Sequence, residues 1–260
     1  MPVQMDTPEE KIRNYYRVLY RFWGPQNWWP AQSRFEVIVG AYLTQNTAWT
    51  NVEKALANLR SAKLLSLPGI RRVPVVELER LIRPAGYFRQ KARRLKIFVE
   101  HLDRAHGGLL SKLFSRPIEQ LREELLSLNG VGPETADSIL LYAGNYPAFV
   151  VDAYSRRILE RHEILPDTVS YENAKALFER ALTSLTQVEL ITNELHGQAL
   201  GEPLPGVHLP SRISTMERTA LVQVYNEMHG LIVGVGKTYC RKSQPRCDQC
   251  PLQPFLPTFK

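Results

Sequence analysis

Hydrophobic residues recur at helical spacing along most of this chain, and no stretch shows sustained alternation of apolar and polar residues. Alternation is the pattern of a half-buried strand, whereas a repeat near 3.6 residues places apolar side chains on one face of a helix. The pattern therefore predicts an all-α protein. Helices are expected over residues 8–23, 35–43, 48–59, 76–82, 90–102, 117–128, 134–143, 154–161, 171–185 and 216–233.

The first of these helices has the clearest boundaries. Thr7 and Glu10 have the spacing of a capping box, in which each side chain bonds the backbone N–H of the other residue. Pro8 suits the first helical position, and Gly24 can end the helix.

The chain carries an excess of basic residues, with a net charge of +7 over 260 residues. This excess favours an anionic partner, nucleic acid before a membrane surface. The N-terminus lacks the features of a signal peptide, and no apolar run approaches the roughly 20 residues that span a bilayer. We therefore expect a cytoplasmic, DNA-associated monomer that is neither secreted nor membrane-bound. The segment 187–215 reads as a surface insertion or a functional loop.

Two glycines separate an amphipathic helix from the next helix start in residues 125–140. Gly130, Val131 and Gly132 form a tight turn whose N–H groups, with the N-terminus of the following helix, can bind an anion such as a DNA phosphate. The same pattern also occurs in a plain connection between two helices, so the turn alone leaves both interpretations open.

Asp152 follows the apolar run Phe149–Val151 and precedes a helix, which is the position of an N-cap. A fixed carboxylate in a partly dry site can also stabilise the positive charge that develops on a sugar when a glycosidic bond breaks, and it can orient water. The two roles are compatible, because a cap holds the carboxylate in place.

These two segments together, LNGVGPETAD at 128–137 and VVDAYSRRI at 150–158, resemble the signature of the helix-hairpin-helix, Gly/Pro-rich loop, Asp superfamily of DNA glycosylases. The resemblance continues in residues 43–56, 86–95 and 236–252. It implies an all-α fold of two helical domains with a cleft between them. Residues 31–146 would form a central helical barrel with the hairpin, and residues 1–30 and 147–260 would form the second domain.

The resemblance also implies roles for individual residues in an enzyme that binds double-stranded DNA containing a damaged base. Asp152 matches the catalytic aspartate, and Gly130, Val131 and Gly132 match the hairpin. Gln45 matches a residue that enters the gap left by a flipped base. Lys91 falls where relatives place a basic residue near the DNA backbone, and Lys237 is expected to lie near the cleft and to contact DNA. The basic run 89–96 that contains Lys91 would otherwise be a solvated helix face.

Glu134 departs from the pattern of the bifunctional relatives. In endonuclease III-like enzymes a lysine two residues after the second glycine attacks the sugar and forms a Schiff base. A carboxylate at this position cannot do so, and the resemblance therefore implies a monofunctional glycosylase without strong lyase activity. Lys237 or another lysine could take this role instead.

The three cysteines are a second departure. Relatives with a [4Fe–4S] cluster use four cysteines, whereas this chain has Cys240, Cys247 and Cys250 and carries Leu256 at the fourth position. A lost cluster, a three-thiolate cluster and a different metal ion all remain open for this degenerate loop at 240–256. We expect that catalysis requires no cofactor.

Trp28, Trp29 and Trp49 are candidates for the base pocket, and with the motifs above they look most like type III 3-methyladenine glycosylases. Indole faces attract a cationic alkylated purine, which is a good leaving group and needs little protonation. The same tryptophans could instead be core residues at a domain junction. Besides the alkylpurine glycosylase, a mismatch or oxidised-pyrimidine glycosylase and a non-catalytic module that binds damaged DNA remain alternatives.

Overall fold

The computed structural model describes residues 6–185 and 208–257, and within these ranges it contains helices and no strand, so the prediction of an all-α fold is confirmed. The chain divides into two compact units, Ala31–Tyr146 and Met1–Pro30 with Pro147–Lys260. Most of the segment predicted at 187–215 as an insertion or functional loop lies outside the described residues. No helix among the described residues is both long enough and apolar enough to cross a membrane.

The unit Ala31–Tyr146, called the hairpin unit below, is built around a buried helix. Helix α2 (Arg34–Leu43) is buried from Phe35 to Leu43, which is typical of a helix at the centre of a helical core. The other helices of this unit are α3 (Trp49–Ser61), α4 (Leu67–Arg72), α5 (Val75–Leu81), α6 (Phe88–His106), α7 (Leu110–Leu113), α8 (Ile118–Leu126) and α9 (Pro133–Ser138), which continues as a π-helical stretch Ile139–Ala143. The π-helical stretch and α6 both pack against α2.

The second unit, called the terminal unit below, contains α1 (Pro8–Trp23), α10 (Ala153–Arg161), α11 (Tyr171–Thr183) and α12 (Ala220–Thr238). Helix α1 packs against α11 and α12, and α12 also packs against α10. Thr7 and Glu10 form the predicted capping box, and the N–H of Gly24 bonds the Tyr20 carbonyl at the C-terminal end of α1. Asp152, Trp28 and Trp29, which the sequence analysis singled out, belong to this unit.

A buried ion pair joins the two helices that flank the hairpin. The Arg122 guanidinium on α8 donates to both carboxylate oxygens of Asp137 on α9, at 2.8 and 3.1 Å. The Asp137 side chain has no exposure to solvent, and that of Arg122 is 20% exposed. This two-pronged contact fixes α8 against α9 and thereby fixes the turn between them.

Replacing Asp137 with asparagine is expected to lower the free energy of unfolding by about 3 kcal/mol, because it leaves the Arg122 charge in place without its counter-ion. Urea unfolding followed by circular dichroism measures the change. Asp103→Asn is the matched control, since Asp103 pairs with Arg71 at the surface, where both side chains are about 40% exposed (38% and 41%). That substitution should cost less than ~1 kcal/mol. Equal losses in the two variants would contradict the structural role assigned to the Arg122–Asp137 pair.

Candidate active site

The hairpin turn has the backbone geometry of a tight connection. Gly130 has a φ of +79°, in the region that glycine adopts without strain, and the N–H of Val131 bonds the Leu128 carbonyl at 3.0 Å. Gly132 is the N-cap residue of α9 and provides no side chain to cap it. A Cβ atom placed on Gly132 would meet no atom within 4 Å, so the backbone at the start of α9 is open to an approaching group.

The side chains of Gln45 and Arg94 contact this turn and stabilise it. The Gln45 amide nitrogen donates to the Gly130 carbonyl at 2.9 Å and to the Thr135 hydroxyl at 3.0 Å, and its oxygen accepts from Arg94 at 2.9 Å. The Arg94 side chain also lies directly against Gly130. The structure thus places Gln45 beside the hairpin, and its insertion into a DNA gap stays a prediction. Sequence reasoning included Arg94 only as one member of the basic run.

Lys91 lies inside the hairpin unit and is 2% exposed. Its ammonium group donates to the carbonyls of Leu43 and Ala85 and to the Thr47 hydroxyl, at 2.7 to 2.8 Å. The predicted contact between Lys91 and the DNA backbone does not fit this placement, because an ammonium group has three N–H donors and all three are bonded within the unit. Burial lowers the pKa of Lys91 to about 8.

Glu134 is exposed in the first turn of α9, where the positive end of the helix dipole favours an acidic residue. Trp49 is the first residue of α3 and is half-buried in the same unit. The structure therefore brings together Gln45 and the hairpin within the hairpin unit, whereas Trp28, Trp29, Asp152 and Lys237 belong to the terminal unit.

Asp152 is the N-cap of α10, and its two carboxylate oxygens have different partners. Oδ1 accepts from the backbone N–H and the hydroxyl of Ser155, at 2.8 and 3.0 Å. Oδ2 lies 3.6 Å from Nε2 of His229 on α12, and the Asp152 side chain is only 13% exposed. Burial opposes ionisation, but the contacts from His229 and Ser155 hold the pKa of Asp152 below its usual range. The site therefore presents a fixed carboxylate anion.

His229 is a residue that the sequence analysis missed. Its imidazole is 4% exposed and lies between Asp152 and the ring of Trp28, whose centroid is 6.4 Å from the imidazole centroid. His229 precedes Lys237 on α12 by two helical turns, so the two side chains share a helix face. The Lys237 ammonium lies 5.6 Å from the centroid of the same Trp28 ring. This shared face of α12 is the signal that could have linked both residues to the site.

The loop that carries Trp28 and Trp29 is anchored to α12. The Gln26 N–H donates to the Glu227 carboxylate at 2.7 Å, and a Cβ atom on Gly230 would contact the side chains of Gln26 and Trp28 at 3.0 and 3.1 Å. Burial raises the pKa of Glu227 to about 7. Trp28 and Trp29 are 7% and 3% exposed and are joined by a cis peptide bond.

The three cysteines of the terminal unit line one cavity together with His162 and Leu256. The Cys240 thiol accepts a hydrogen bond from Arg161 at 3.3 Å, and burial raises the pKa of Cys250 to about 11. Leu256 contributes a hydrocarbon side chain that cannot ligate iron. The donor set is therefore one thiolate short of the four that a [4Fe–4S] cluster normally uses, and we assign no chemical step to a cluster.

Comparison with known proteins agrees with this arrangement. Residues 39–184 match the family described as HhH-GPD superfamily base excision DNA repair protein. The chain is 39% identical to the Methanocaldococcus jannaschii protein named "Putative DNA repair glycosylase MJ1434" over 95% of this chain and 96% of that protein.

Two solved structures share the fold. The 3-methyladenine DNA glycosylase MagIII of H. pylori, bound to 1,N6-ethenoadenine, has a TM-score of 0.68 at 27% identity and covers 89% of this chain and 98% of its own. An endonuclease III–DNA complex has a TM-score of 0.68 at 19% identity and covers 97% of this chain and 96% of its own. The chain therefore belongs to the HhH-GPD superfamily and is a base excision DNA glycosylase of that type.

Proposed function

We propose that this protein is a monofunctional glycosylase that hydrolyses the N-glycosidic bond of an alkylated purine, such as 3-methyladenine, flipped out of double-stranded DNA. The observation that carries the proposal is the buried Asp152 carboxylate, which is held by its helix cap and by His229 beside the Trp28 ring. The similarity to the H. pylori enzyme, a 3-methyladenine DNA glycosylase, supports the same substrate class.

The chemistry that suits this site is dissociative hydrolysis. The bond between the sugar C1′ atom and the base nitrogen breaks, and its electron pair leaves with the base, which becomes neutral because it was a cation. The Asp152 carboxylate stabilises the positive charge that develops on the sugar. Water then bonds to C1′ and passes a proton to Asp152 or to solvent. His229 keeps the Asp152 carboxylate oriented and ionised until water bonds to C1′.

Trp28 is the proposed contact for the cationic base. The Lys237 ammonium lies 5.6 Å from the centroid of this ring. It must move aside when a cationic base stacks there, because two cations repel each other. A cation over a partly dry indole gains about 1–2 kcal/mol. We therefore assign Lys237 to the edge of the base pocket, in addition to its predicted contact with DNA. The roles of Trp29 and Trp49 as pocket residues stay predictions.

The hairpin of Gly130, Val131 and Gly132 is proposed to bind a phosphate of the DNA backbone. Its open backbone at the start of α9 suits an anion, and the net charge of +7 favours the same partner. Such binding weakens with rising salt. We further propose that the active protein is a monomer and that hydrolysis requires no cofactor, because every step above uses side chains of this chain and water.

The proposed absence of lyase activity rests on Glu134, which stands where the resemblance to bifunctional enzymes places the attacking lysine. The experiment that tests the proposal incubates the purified protein with duplexes that contain 3-methyladenine, uracil, thymine glycol or a G·T mismatch. Each product is run on a gel with and without hot alkali. Strand breaks on the alkylated duplex that appear only after alkali are the expected result.

Two other outcomes would contradict this function in different ways. Breaks without alkali, accompanied by a borohydride-trapped adduct that Lys237→Gln abolishes, would show that Lys237 acts as a lyase amine. Cleavage of another duplex in place of the alkylated one would overturn the substrate class. Iron and acid-labile sulfide are measured on the same preparation, and activity that depends on their presence would contradict a cofactor-free reaction.

A further inference from the structure

Two imidazoles and a carboxylate meet in the hairpin unit, whereas Asp152 and His229 belong to the terminal unit. His101 and His106 lie on α6, and Glu124 lies on α8. One oxygen of Glu124, Oε1, is 2.6 Å from Nε2 of His101 and 2.5 Å from Nε2 of His106. These three atoms all lie within 4.8 Å of one another, which is the arrangement of donors around a single ion.

The environment of the cluster keeps these donors fixed but accessible. The side chains of His101, His106 and Glu124 are 14%, 5% and 12% exposed, so their rotamers are restricted while a small solute can still reach them. Both histidines hydrogen-bond the same carboxylate oxygen, Oε1 of Glu124. The cluster therefore combines an anionic oxygen with two aromatic nitrogen donors.

We propose that His101, His106 and Glu124 form a binding site for a divalent transition-metal ion of the zinc class. Two histidines and one carboxylate are a ligand set that zinc uses in proteins, with water completing the tetrahedron. Donors around tetrahedral zinc lie roughly 3.3 Å apart, given metal–donor distances of about 2.0–2.1 Å. To admit the ion, the present contacts of 2.5 and 2.6 Å need to open by less than about 1 Å. The protons between each Nε2 atom and Oε1 are released to solvent on binding, because a ligating nitrogen needs its lone pair.

Arg116 fits a supporting role at this site. Its guanidinium lies 3.2 Å from Oε2 of Glu124, the oxygen that neither histidine contacts, and its side chain is 42% exposed. A ligating carboxylate is commonly held through its second oxygen by a neighbouring donor, which orients the first oxygen toward the metal. The Arg116 contact is an ion pair, since Oε2 accepts no hydrogen bond from the described residues, and it leaves Oε1 available to the ion.

The position of the site between α6 and α8 indicates a structural role for the ion. His106 is the last residue of α6, and Glu124 lies on α8, the first helix of the hairpin motif. Helix α6 also carries Arg94, whose side chain contacts Gly130. An ion bound here links α6 to α8 by coordinate bonds. It is a structural ion that braces the hairpin, and the chemistry at Asp152 does not pass through it.

The proposal is tested by titrating the chelator-treated full-length protein with Co²⁺, which gives visible d–d absorption in tetrahedral sites. The wild-type protein should bind one equivalent with no thiolate-to-metal band in the near ultraviolet, and any further equivalent on the cysteines would show that band. Saturating Zn²⁺ should raise Tm by about 5 °C. Glu124→Gln and His106→Gln should each lose the thiolate-free equivalent and the rise in Tm.

Glu123→Gln is the matched control, since Glu123 is the adjacent, exposed carboxylate on α8, and it should bind metal like the wild-type protein. An unchanged thiolate-free equivalent in Glu124→Gln would overturn the proposal. If the substituted proteins fail to fold, X-ray absorption of the zinc-loaded wild-type protein decides. A shell of nitrogen and oxygen with histidine scattering supports the site, and a shell made only of sulfur refutes it.

Discussion

Replacing Asp152 with asparagine is expected to lower the single-turnover rate of 3-methyladenine release by about 10³-fold. The neutral amide removes the charge that stabilises the developing sugar cation. Asparagine is as good an N-cap as aspartate, so the amide oxygen can still accept the Ser155 N–H and α10 should keep its start. Stability and DNA affinity are therefore expected to change little while the rate falls.

The rate is measured with enzyme in excess over a duplex that carries one 3-methyladenine, and Tm and DNA affinity are measured on the same preparations. Asp167→Asn is the control, because Asp167 is an exposed aspartate in the same unit, and it should keep the wild-type rate. A wild-type rate in Asp152→Asn would remove the catalytic assignment. A large drop in its Tm would mean that the carboxylate acts mainly on the fold.

Replacing Gly130 with alanine is expected to weaken DNA binding about tenfold or more, which corresponds to at least ~1.4 kcal/mol. A side chain at a φ of +79° costs roughly 1–2 kcal/mol. The added methyl group would also overlap the Arg94 side chain, and displacing it breaks the bond from Arg94 to Gln45. Both effects distort the turn proposed to bind a phosphate.

Gly132→Ala is the control for backbone strain, because it adds a methyl group to the same turn at a position where no strain is expected. Gly132 has a φ of −95°, and a Cβ atom there would meet no atom within 4 Å, so this variant should keep the Tm of the wild-type protein. Fluorescence anisotropy with an undamaged duplex, repeated over a range of salt concentrations, measures affinity. Wild-type affinity and salt dependence in Gly130→Ala would contradict the role of the hairpin.

Most helices were predictable because their start signals and apolar repeats agree. Helix α1 begins and ends at the residues that its capping box and Gly24 indicate. Helix α4 was missed, because the Pro68–Gly69 pair within it is typical of a turn, and only the cap from Ser66 favours a helix there. The helices expected at 117–128 and 216–233 differ at their ends from α8 and α12, since helix ends depend on tertiary contacts.

The site residues divide along a similar line. The hairpin turn and the N-cap at Asp152 could be predicted, because each depends on residues that are neighbours in the sequence. His229 and the partners of Lys91 could not be predicted in this way, because their contacts join residues far apart in sequence. A lysine within a basic run is expected to face solvent or an anion, and only the fold places the acceptors of Leu43, Thr47 and Ala85 around it.

The two units can complete their internal contacts at different times during synthesis on the ribosome. The hairpin unit is continuous, so its contacts can all form once Tyr146 has been made. Helix α1 is made before that unit, but its partners α11 and α12 follow it, and closing so long a loop costs entropy. The environment of Asp152 needs His229 on α12, which is among the last helices made. A nascent chain can thus complete the turn proposed to bind a phosphate before it completes the surroundings of Asp152.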